Sequence, residues 1–115
     1  MALTAVQRRA RRYVVLGNSV AGIAAAQEIR RHDPDGPITI VSDEQTFGYS
    51  RAMLPLYIAG KKTKRDTVFA PRAFYTSERI RLVRGETAVS VDARAQQVQL
   101  AGGRRLPYDR LLVAT

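Results

Sequence analysis

The spacing of apolar and polar positions divides the chain into an α/β first half and a strand-rich second half. An apolar run, Val14 to Leu16, predicts a buried parallel strand over residues 12–16. Residues 20–32 repeat their apolar positions at helical spacing, which predicts an amphipathic helix. A β-branched run at residues 38–42 predicts a second strand. The order strand, helix, strand favours an α/β fold with a parallel sheet.

The predicted first helix has one apolar stripe and a sharp end. The stripe consists of Val20, Ile23, Ala24, Ala26, Gln27 and Ile29, whereas Glu28, Arg30 and Arg31 fall mainly outside it. Residues 33–37, Asp-Pro-Asp-Gly-Pro, end the helix because proline cannot continue it and Asp-Gly favours a turn.

The middle of the chain is less regular. We predict a loop from residue 46, a short helix from about residue 51 to Gly60, and a basic loop over residues 61–70. Pro71 fits the first turn of another short helix through about residue 77, with Phe74 and Tyr75 as its anchors on the core.

After Ile80 the pattern becomes that of short strands. Residues 81–84, 87–92 and 96–100 are predicted strands, and Gly102 and Gly103 predict a hairpin turn before a returning segment at 104–107. Residues 108–115 form a last apolar strand. The fold class that we predict is therefore an α/β domain with a parallel sheet and an inserted antiparallel hairpin or meander.

Composition narrows the class of protein. The chain has 115 residues, which allows at most one domain, and its formal net charge is +9. No apolar run reaches about 18 residues, and the basic start lacks the apolar core of a secretory signal, so we expect a cytoplasmic protein without a membrane span. The basic residues concentrate at 8–12 and 61–65. Neither patch is interleaved with aromatic residues, and we interpret residues 1–11 as a solvated, mobile arm rather than a nucleic-acid contact.

Cysteine and histidine usage excludes several kinds of chemistry. With no cysteine, this segment has no disulfide, no thiolate metal site and no redox-active thiol. The single histidine, His32, ends the predicted helix, where we expect a capping or solvent-exposed role. We assign no catalytic acid, base or nucleophile, and we expect Glu28, Glu78 and Glu86 on solvated faces.

The turn between the first strand and the first helix carries the strongest chemical signal. Gly17 allows a sharp turn, the small Ser19 and Ala21 allow a pyrophosphate to approach the backbone, and Gly22 allows close helix packing. The helix N-terminus adds free N–H groups and a partial positive charge. Ser19 stands where the G-x-G-x-x-G fingerprint has its second glycine. An ordinary strand–turn–helix connection is the alternative.

Two further positions fit a dinucleotide. Asp43 follows the second strand, 21 positions after Gly22, where a carboxylate can accept hydrogen bonds from ribose hydroxyls. The alternative is an ordinary exposed strand end. Arg51 is a planar, permanently charged donor suited to a phosphate or an adenine face.

Four segments in this order resemble a known family. They are residues 17–22 (GNSVAG), 41–44 (VSDE), 49–55 (YSRAMLP) and 108–115 (YDRLLVAT). Together they resemble the N-terminal part of the FAD domain of the pyridine nucleotide-disulfide oxidoreductase superfamily. The resemblance is greatest to its thiol-free members: ferredoxin and rubredoxin reductases and the flavin domain of NAD(P)H-dependent nitrite reductase.

The resemblance implies bound FAD and a set of contacts. The expected cofactor-binding residues are Gly17, Asn18, Ser19, Ala21 and Gly22 at the pyrophosphate, Asp43 with Glu44 at the adenosine ribose, Arg51 at the AMP half or pyrophosphate, Ala88 through its backbone at the adenine edge, and Thr115 near the flavin. In the parent enzyme a hydride would pass from NAD(P)H to FAD and electrons would go to an acceptor protein or small acceptor. Without a cysteine, disulfide or sulfenate mechanisms have no residue to use.

The resemblance also implies that much of the enzyme lies outside this chain. The expected unit, residues 12–115, is an incomplete FAD-binding domain that lacks its C-terminal part and the NAD(P)H domain. We therefore expect little turnover from the chain alone. Two other interpretations stay open: a non-enzymatic nucleotide- or nucleic-acid-binding module, and a subunit completed in trans by the remainder of the enzyme.

Overall fold

The structure, a computed structural model, describes residues 10–45, 48–49, 59–60 and 68–115. Its two helices are α1 (Val20–His32) and α2 (Arg72–Ser77). Its strands are β1 (Tyr13–Leu16), β2 (Ile38–Ser42), β3 (Gly48–Tyr49), β4 (Val68–Ala70), β5 (Ile80–Arg84), β6 (Ala88–Asp92), β7 (Gln97–Leu100), β8 (Arg105–Pro107) and β9 (Arg110–Val113).

Four strands form a parallel sheet in the order β5-β2-β1-β9. Val15 pairs with Ile40 on one side and with Leu112 on the other. Because successive side chains of a strand point to opposite faces, Val14 and Val15 enter different cores. The sheet is therefore covered on both faces, as its continuous apolar strands predict.

The two cores define three layers. On one face, α1 and α2 pack through a cluster of Val15, Ile23, Ala26, Ile38, Ile40, Ala70, Tyr75 and Ile80. On the other face lies the antiparallel sheet β6-β7-β8, which contributes Val98, Leu100 and Leu106 to the second cluster. This arrangement confirms the predicted parallel sheet with an inserted antiparallel meander. It also confirms Tyr75 as an anchor of α2, with Phe74 packed beside the same cluster.

The hairpin turns follow the predicted chemistry. Gly103 has φ +92°, a conformation that favours glycine, and its N–H donates to the carbonyl of Leu100 over 2.9 Å. The residues of β7 pair with both β6 and β8, so this layer is a meander of three strands.

The predictions for the middle segment are corrected in part. We expected loops where the structure has β3 and β4, which pair with each other in antiparallel fashion. These strands are two and three residues long, too short to show a period, and their pairing is non-local. The predicted helix before Gly60 and most of the basic loop lie outside the described residues, as does most of the predicted arm at residues 1–11. The domain division stays a prediction.

The buried face of α1 differs from the predicted stripe. Gly22, Ile23, Ala26 and Arg30 are buried, whereas Val20, Ala24 and Gln27 are exposed. Arg30 was expected outside the stripe, yet it is only 8% exposed. Its guanidinium donates to the carbonyls of Asp33, Gly36, Glu78 and Arg79 over 2.8–3.0 Å. A charged side chain is buried here because backbone oxygens replace its lost water.

Candidate functional site

The turn between β1 and α1 requires glycine at its first position. Gly17 has φ +120°, and a Cβ built there would lie 2.4 Å from the carbonyl oxygen of Ala114. The Gly17 N–H donates to the carbonyl of Val41 over 2.9 Å. The turn is therefore held between the ends of β2 and β9, and its backbone carries no Cβ at Gly17.

Gly22 allows the helix to approach the turn closely. A Cβ on Gly22 would lie 2.1 Å from the Gly17 carbonyl oxygen and 3.4 Å from Cγ1 of Val15. No real side chain fits at the first of these distances, because two backbone segments meet there. The packing role expected for Gly22 is what the structure shows. Its role toward a cofactor stays a prediction.

The start of α1 presents donors rather than a closed cap. Ser19 is the N-cap residue, but its hydroxyl makes no capping hydrogen bond, and the first turn of the helix has no acidic residue. The first N–H groups of a helix have no partner within the helix, and they carry its partial positive charge. Ala21 is exposed, and so is Val20 at 61%. This helix end is therefore open and suited to an anion.

A cleft of about 160 Å³ lies at the carboxyl ends of the parallel strands. It brings together four predicted site residues from separate elements: Gly17 after β1, Asp43 after β2, Ala88 at the start of β6, and Thr115 after β9. Its remaining lining residues are Leu16, Val41, Ser42, Glu86 and Thr87. Ligands of open α/β sheets bind at this edge of the sheet, so the position is the expected one.

The other predicted residues that the structure describes do not line this cleft. Gly22 lies beneath the turn, and Ser19 and Ala21 lie at the helix start. Asn18 faces α2, where its Oδ1 accepts a hydrogen bond of 2.7 Å from the Tyr75 hydroxyl. The Glu44 carbonyl accepts from the Gly85 N–H over 3.0 Å. Arg51 lies outside the described residues.

Glu86 is a cleft residue that the sequence interpretation missed. We expected it on a solvated face, but it is half-buried and lines the cleft with Asp43. Its N–H donates to the carbonyl of Ser42 over 3.0 Å. The pairing of β5 with β2 brings this segment to the end of β2. The order of the strands could have predicted this position of Glu86, because residues that follow two paired parallel strands meet at the same edge of the sheet.

The groups with shifted pKa lie at the opposite end of the sheet or on the outside of α1. A hydrogen bond from the Tyr13 hydroxyl, then the N–H groups of Gly36 and Asp35, lower the pKa of Asp33. The hydrogen bond to Asp109 raises the pKa of Arg12, and contacts with His32 and Arg31 lower that of Glu28. Each of these groups has its own hydrogen-bonding partner, and none of them lines the cleft. They do not mark an acid or base for chemistry at the cleft.

A larger groove of about 1150 Å³ runs beside α1 and the amino end of β1. Four of its polar side chains pair within the groove: Tyr13 donates to Asp33 over 2.7 Å, and His32 lies 2.9 Å from Glu28. His32 is exposed at the helix end, as expected. We place the candidate site in the smaller cleft, because that cleft lies at the edge of the sheet where ligands of open α/β folds bind. No metal-binding cluster is found among the described residues.

Comparison with known proteins fits this geometry. Residues 11–115 match the family model described as pyridine nucleotide-disulphide oxidoreductase. The chain belongs to this family. Members of the family are FAD-dependent and use NAD(P)H, which confirms the expected cofactor at the level of the family.

Individual proteins and solved structures that are similar to this chain are also reductases. The chain is 33% identical to rhodocoxin reductase of Rhodococcus erythropolis over 103 residues, covering 89% of this chain and 24% of that protein. The crystal structure of the covalent putidaredoxin reductase–putidaredoxin complex superposes with a TM-score of 0.86 at 31% identity, over 93% of this chain and 26% of that one. NADH:rubredoxin oxidoreductase from Clostridium acetobutylicum gives a TM-score of 0.84 at 27% identity, over 93% and 28%. The chain thus spans about a quarter of the length of these relatives.

Among the described residues, neither helix is long and apolar enough to cross a membrane.

Proposed function

We propose that this chain is the FAD-binding portion of an NAD(P)H-dependent flavoprotein oxidoreductase. The observation that carries the proposal is the cleft, which gathers Gly17, Asp43, Ala88 and Thr115 from four elements beside an open helix N-terminus. These residues suit FAD. Its diphosphate needs N–H donors and a close approach to the backbone, whereas its ribose hydroxyls need acceptors. FAD bound there would supply the redox chemistry, accepting hydride from NAD(P)H and passing electrons onward.

In this proposal the residues of the chain bind FAD and orient it, and each contacts a different part of the cofactor. The β1–α1 turn (residues 17–19) and the first turn of α1 would hold the pyrophosphate with backbone N–H groups. Asp43, next to Glu44, would accept hydrogen bonds from the adenosine ribose, and the backbone of Ala88 would meet the adenine edge. Thr115 would lie toward the flavin. Arg51 would contact the AMP half or the pyrophosphate.

The first test is FAD binding by the 115-residue chain. We expect saturable binding, followed by the absorbance and fluorescence of FAD, and about tenfold weaker binding in Asp43→Ala because a charged acceptor is lost. Asp35→Ala is the matched control, since Asp35 is an exposed carboxylate at the other end of the sheet. Equal affinity of both variants would contradict the ribose role of Asp43.

The same protein separates this proposal from a nucleic-acid-binding module. Such a module would bind an oligonucleotide with a steep salt dependence and without preference for FAD. Asp43→Ala would then leave oligonucleotide binding unchanged or improve it. Salt-sensitive oligonucleotide binding that FAD does not displace would overturn the FAD proposal.

We also propose that the active enzyme needs more polypeptide than this chain. The edge strand β9 exposes Leu112 at 40% and Val113 at 61%, and the chain spans about a quarter of its relatives. Exposed apolar side chains at a sheet edge are typical of a surface that another segment covers. NADH oxidation by the 115 residues alone should be near the background rate, and robust turnover would contradict the proposal.

The acceptor is proposed by analogy with named relatives. Putidaredoxin reductase works with an electron-acceptor ferredoxin, putidaredoxin, which supports an acceptor protein for the enzyme to which this segment belongs. If completion occurs in trans, a second polypeptide purified with this chain should restore NADH oxidation. A pull-down that recovers no such polypeptide would count against completion in trans.

A further inference from the structure

Tyr75 connects α2 to the β1–α1 turn through a side-chain hydrogen bond. Its ring is 4% exposed and packs in the same core cluster as Val15 and Ile23. Its hydroxyl donates to Oδ1 of Asn18 over 2.7 Å. We infer that Tyr75 is a positioning residue, which holds the β1–α1 turn in its binding conformation by fixing Asn18. This inference rests on the proposed FAD function and concerns the same site.

Gly17 is held between the ends of β2 and β9, so the Tyr75 contact acts on the next position of the turn, Asn18. Residues 17 and 18 lie outside helix and strand, Gly17 has the φ of +120° that only glycine adopts readily, and Ser19 contributes no side-chain cap. A loop that is free before binding loses conformational entropy when a ligand orders it. The Tyr75–Asn18 hydrogen bond removes part of this freedom in advance and so favours binding.

Tyr75 is itself rigidly placed. Phe74 packs against it edge-on, with ring centroids 5.2 Å apart and an interplanar angle of 80°. A buried tyrosine hydroxyl usually has a hydrogen-bond partner, and here the Asn18 side chain is one. The restraint therefore comes from the hydrophobic core, on the face of the sheet that carries the helices.

The hydrogen bond also fixes what Asn18 can offer a ligand. An asparagine amide has one acceptor oxygen and two N–H donors. The hydrogen bond from Tyr75 turns Oδ1 toward α2 and uses one of its two lone pairs, so both N–H donors of Nδ2 are kept for other partners. Diphosphate oxygens are acceptors, so this orientation favours an anionic ligand over a cationic one at the turn.

The test is a double-mutant cycle on FAD affinity in the 115-residue chain. Tyr75→Phe keeps the ring and removes the hydroxyl, and we expect about three- to tenfold weaker FAD binding, the effect of one hydrogen bond. Asn18→Ala should weaken binding at least as much. If Tyr75 acts through Asn18, the double variant should bind no more weakly than Asn18→Ala alone.

Tyr108→Phe is the matched control. Tyr108 is also buried, at 7% exposure, but it belongs to the cluster on the opposite face of the sheet. Its substitution should leave FAD affinity unchanged. The thermal midpoints of both tyrosine variants should be measured beside their affinities, because a purely structural role of Tyr75 would move only the midpoint.

The outcomes separate this inference from the proposed function. If the wild-type chain does not bind FAD, the proposed function fails and the inference fails with it. If wild type binds and Tyr75→Phe binds equally well, or if the two substitutions add in the cycle, the inference alone is overturned. A Tyr75→Phe chain that does not fold would show that the hydroxyl serves stability, which also overturns the inference.

Discussion

At the amino ends of the parallel strands polar side chains pair with one another, whereas at the carboxyl ends they line an open cleft. Arg12 and Asp109 join the starts of β1 and β9 with an ion pair of 3.1 Å, and Tyr13 donates to Asp33. At the other end, Ser19 leaves its helix uncapped, and the exposed Asp43 lines the cleft beside Glu86. One end is closed by its own contacts, and the other retains groups for a ligand.

The difference shows where stability and binding are located. Closed hydrogen-bond networks stabilise the fold, whereas open donors and acceptors at a cleft contribute little until a ligand pairs with them. Substitutions at the amino end should therefore change the free energy of unfolding and leave FAD affinity unchanged. Substitutions at the carboxyl end should change affinity, with stability affected only where packing is also disturbed.

The largest effect is expected at Gly22, where packing and binding coincide. In Gly22→Ala the new Cβ would meet the Gly17 carbonyl oxygen, so α1 must move away from the turn. We expect a loss of about 3 kcal/mol in the free energy of unfolding, from overpacking, together with the loss of FAD binding. Denaturant unfolding and FAD titration measure the two effects.

Gly102→Ala is the control for the loss of a glycine. A Cβ there would have only the Glu86 carboxylate near it, at 3.8 Å, so we expect little change in either quantity. Wild-type affinity in Gly22→Ala would show that the close approach of α1 to the turn is unnecessary for binding. The contrast between the two ends would then rest on the polar groups alone.

The second-largest effect is expected at Arg30, which stabilises the amino end of the sheet. Arg30→Met keeps the apolar stem but leaves four backbone carbonyls without their donor. We expect a loss of about 2 kcal/mol in the free energy of unfolding, since buried acceptors become unsatisfied. FAD affinity of the folded protein should not change.

Arg31→Met is the matched control, because Arg31 is the exposed neighbour and pairs only on the surface with Glu28 over 2.9 Å. Its free energy of unfolding should stay close to that of wild type. A large loss of FAD affinity in Arg30→Met, measured on folded protein, would contradict the claim that the amino end serves stability and the carboxyl end serves binding.

Local patterns predicted the elements that the sheet aligns. Three segments could be predicted from their own residue types, and each was found as predicted. They are Val14–Leu16, the β-branched run of β2 and the glycines of the hairpin. The same holds for Gly22, where a Cβ would meet the carbonyl of the nearby Gly17. The cleft could be placed because a strand, a tight turn and a helix fix where the carboxyl ends lie.

Features that depend on distant contacts could not be predicted. Arg30 belongs to a charged residue type, and only the carbonyls of Glu78 and Arg79, far along the chain, explain its burial. The contribution of Glu86 required the pairing of β5 with β2, and the contact of Tyr75 with Asn18 spans 57 positions. Composition cannot show such pairings, because they arise from packing.

The smallest effect concerns acid stability at the amino end. The folded protein lowers the pKa of Asp33, because the Tyr13 hydroxyl and the N–H groups of Gly36 and Asp35 favour the carboxylate. A carboxyl whose pKa is depressed by folding contributes stability above its ordinary pKa of 3.8. That stability is lost as the pH falls through the lower, folded value.

We therefore expect unfolding by urea to occur at lower concentrations at pH 3 than at pH 5, and Asp33→Asn to reduce this difference. The asparagine keeps an acceptor for the same donors but cannot be protonated in this range. Asp35→Asn is the control, because its exposed side chain lies in the same loop. An unchanged acid sensitivity in Asp33→Asn would show that the Tyr13–Asp33 contact does not stabilise the amino end. In that case Arg30 and the Arg12–Asp109 pair would have to account for its stability.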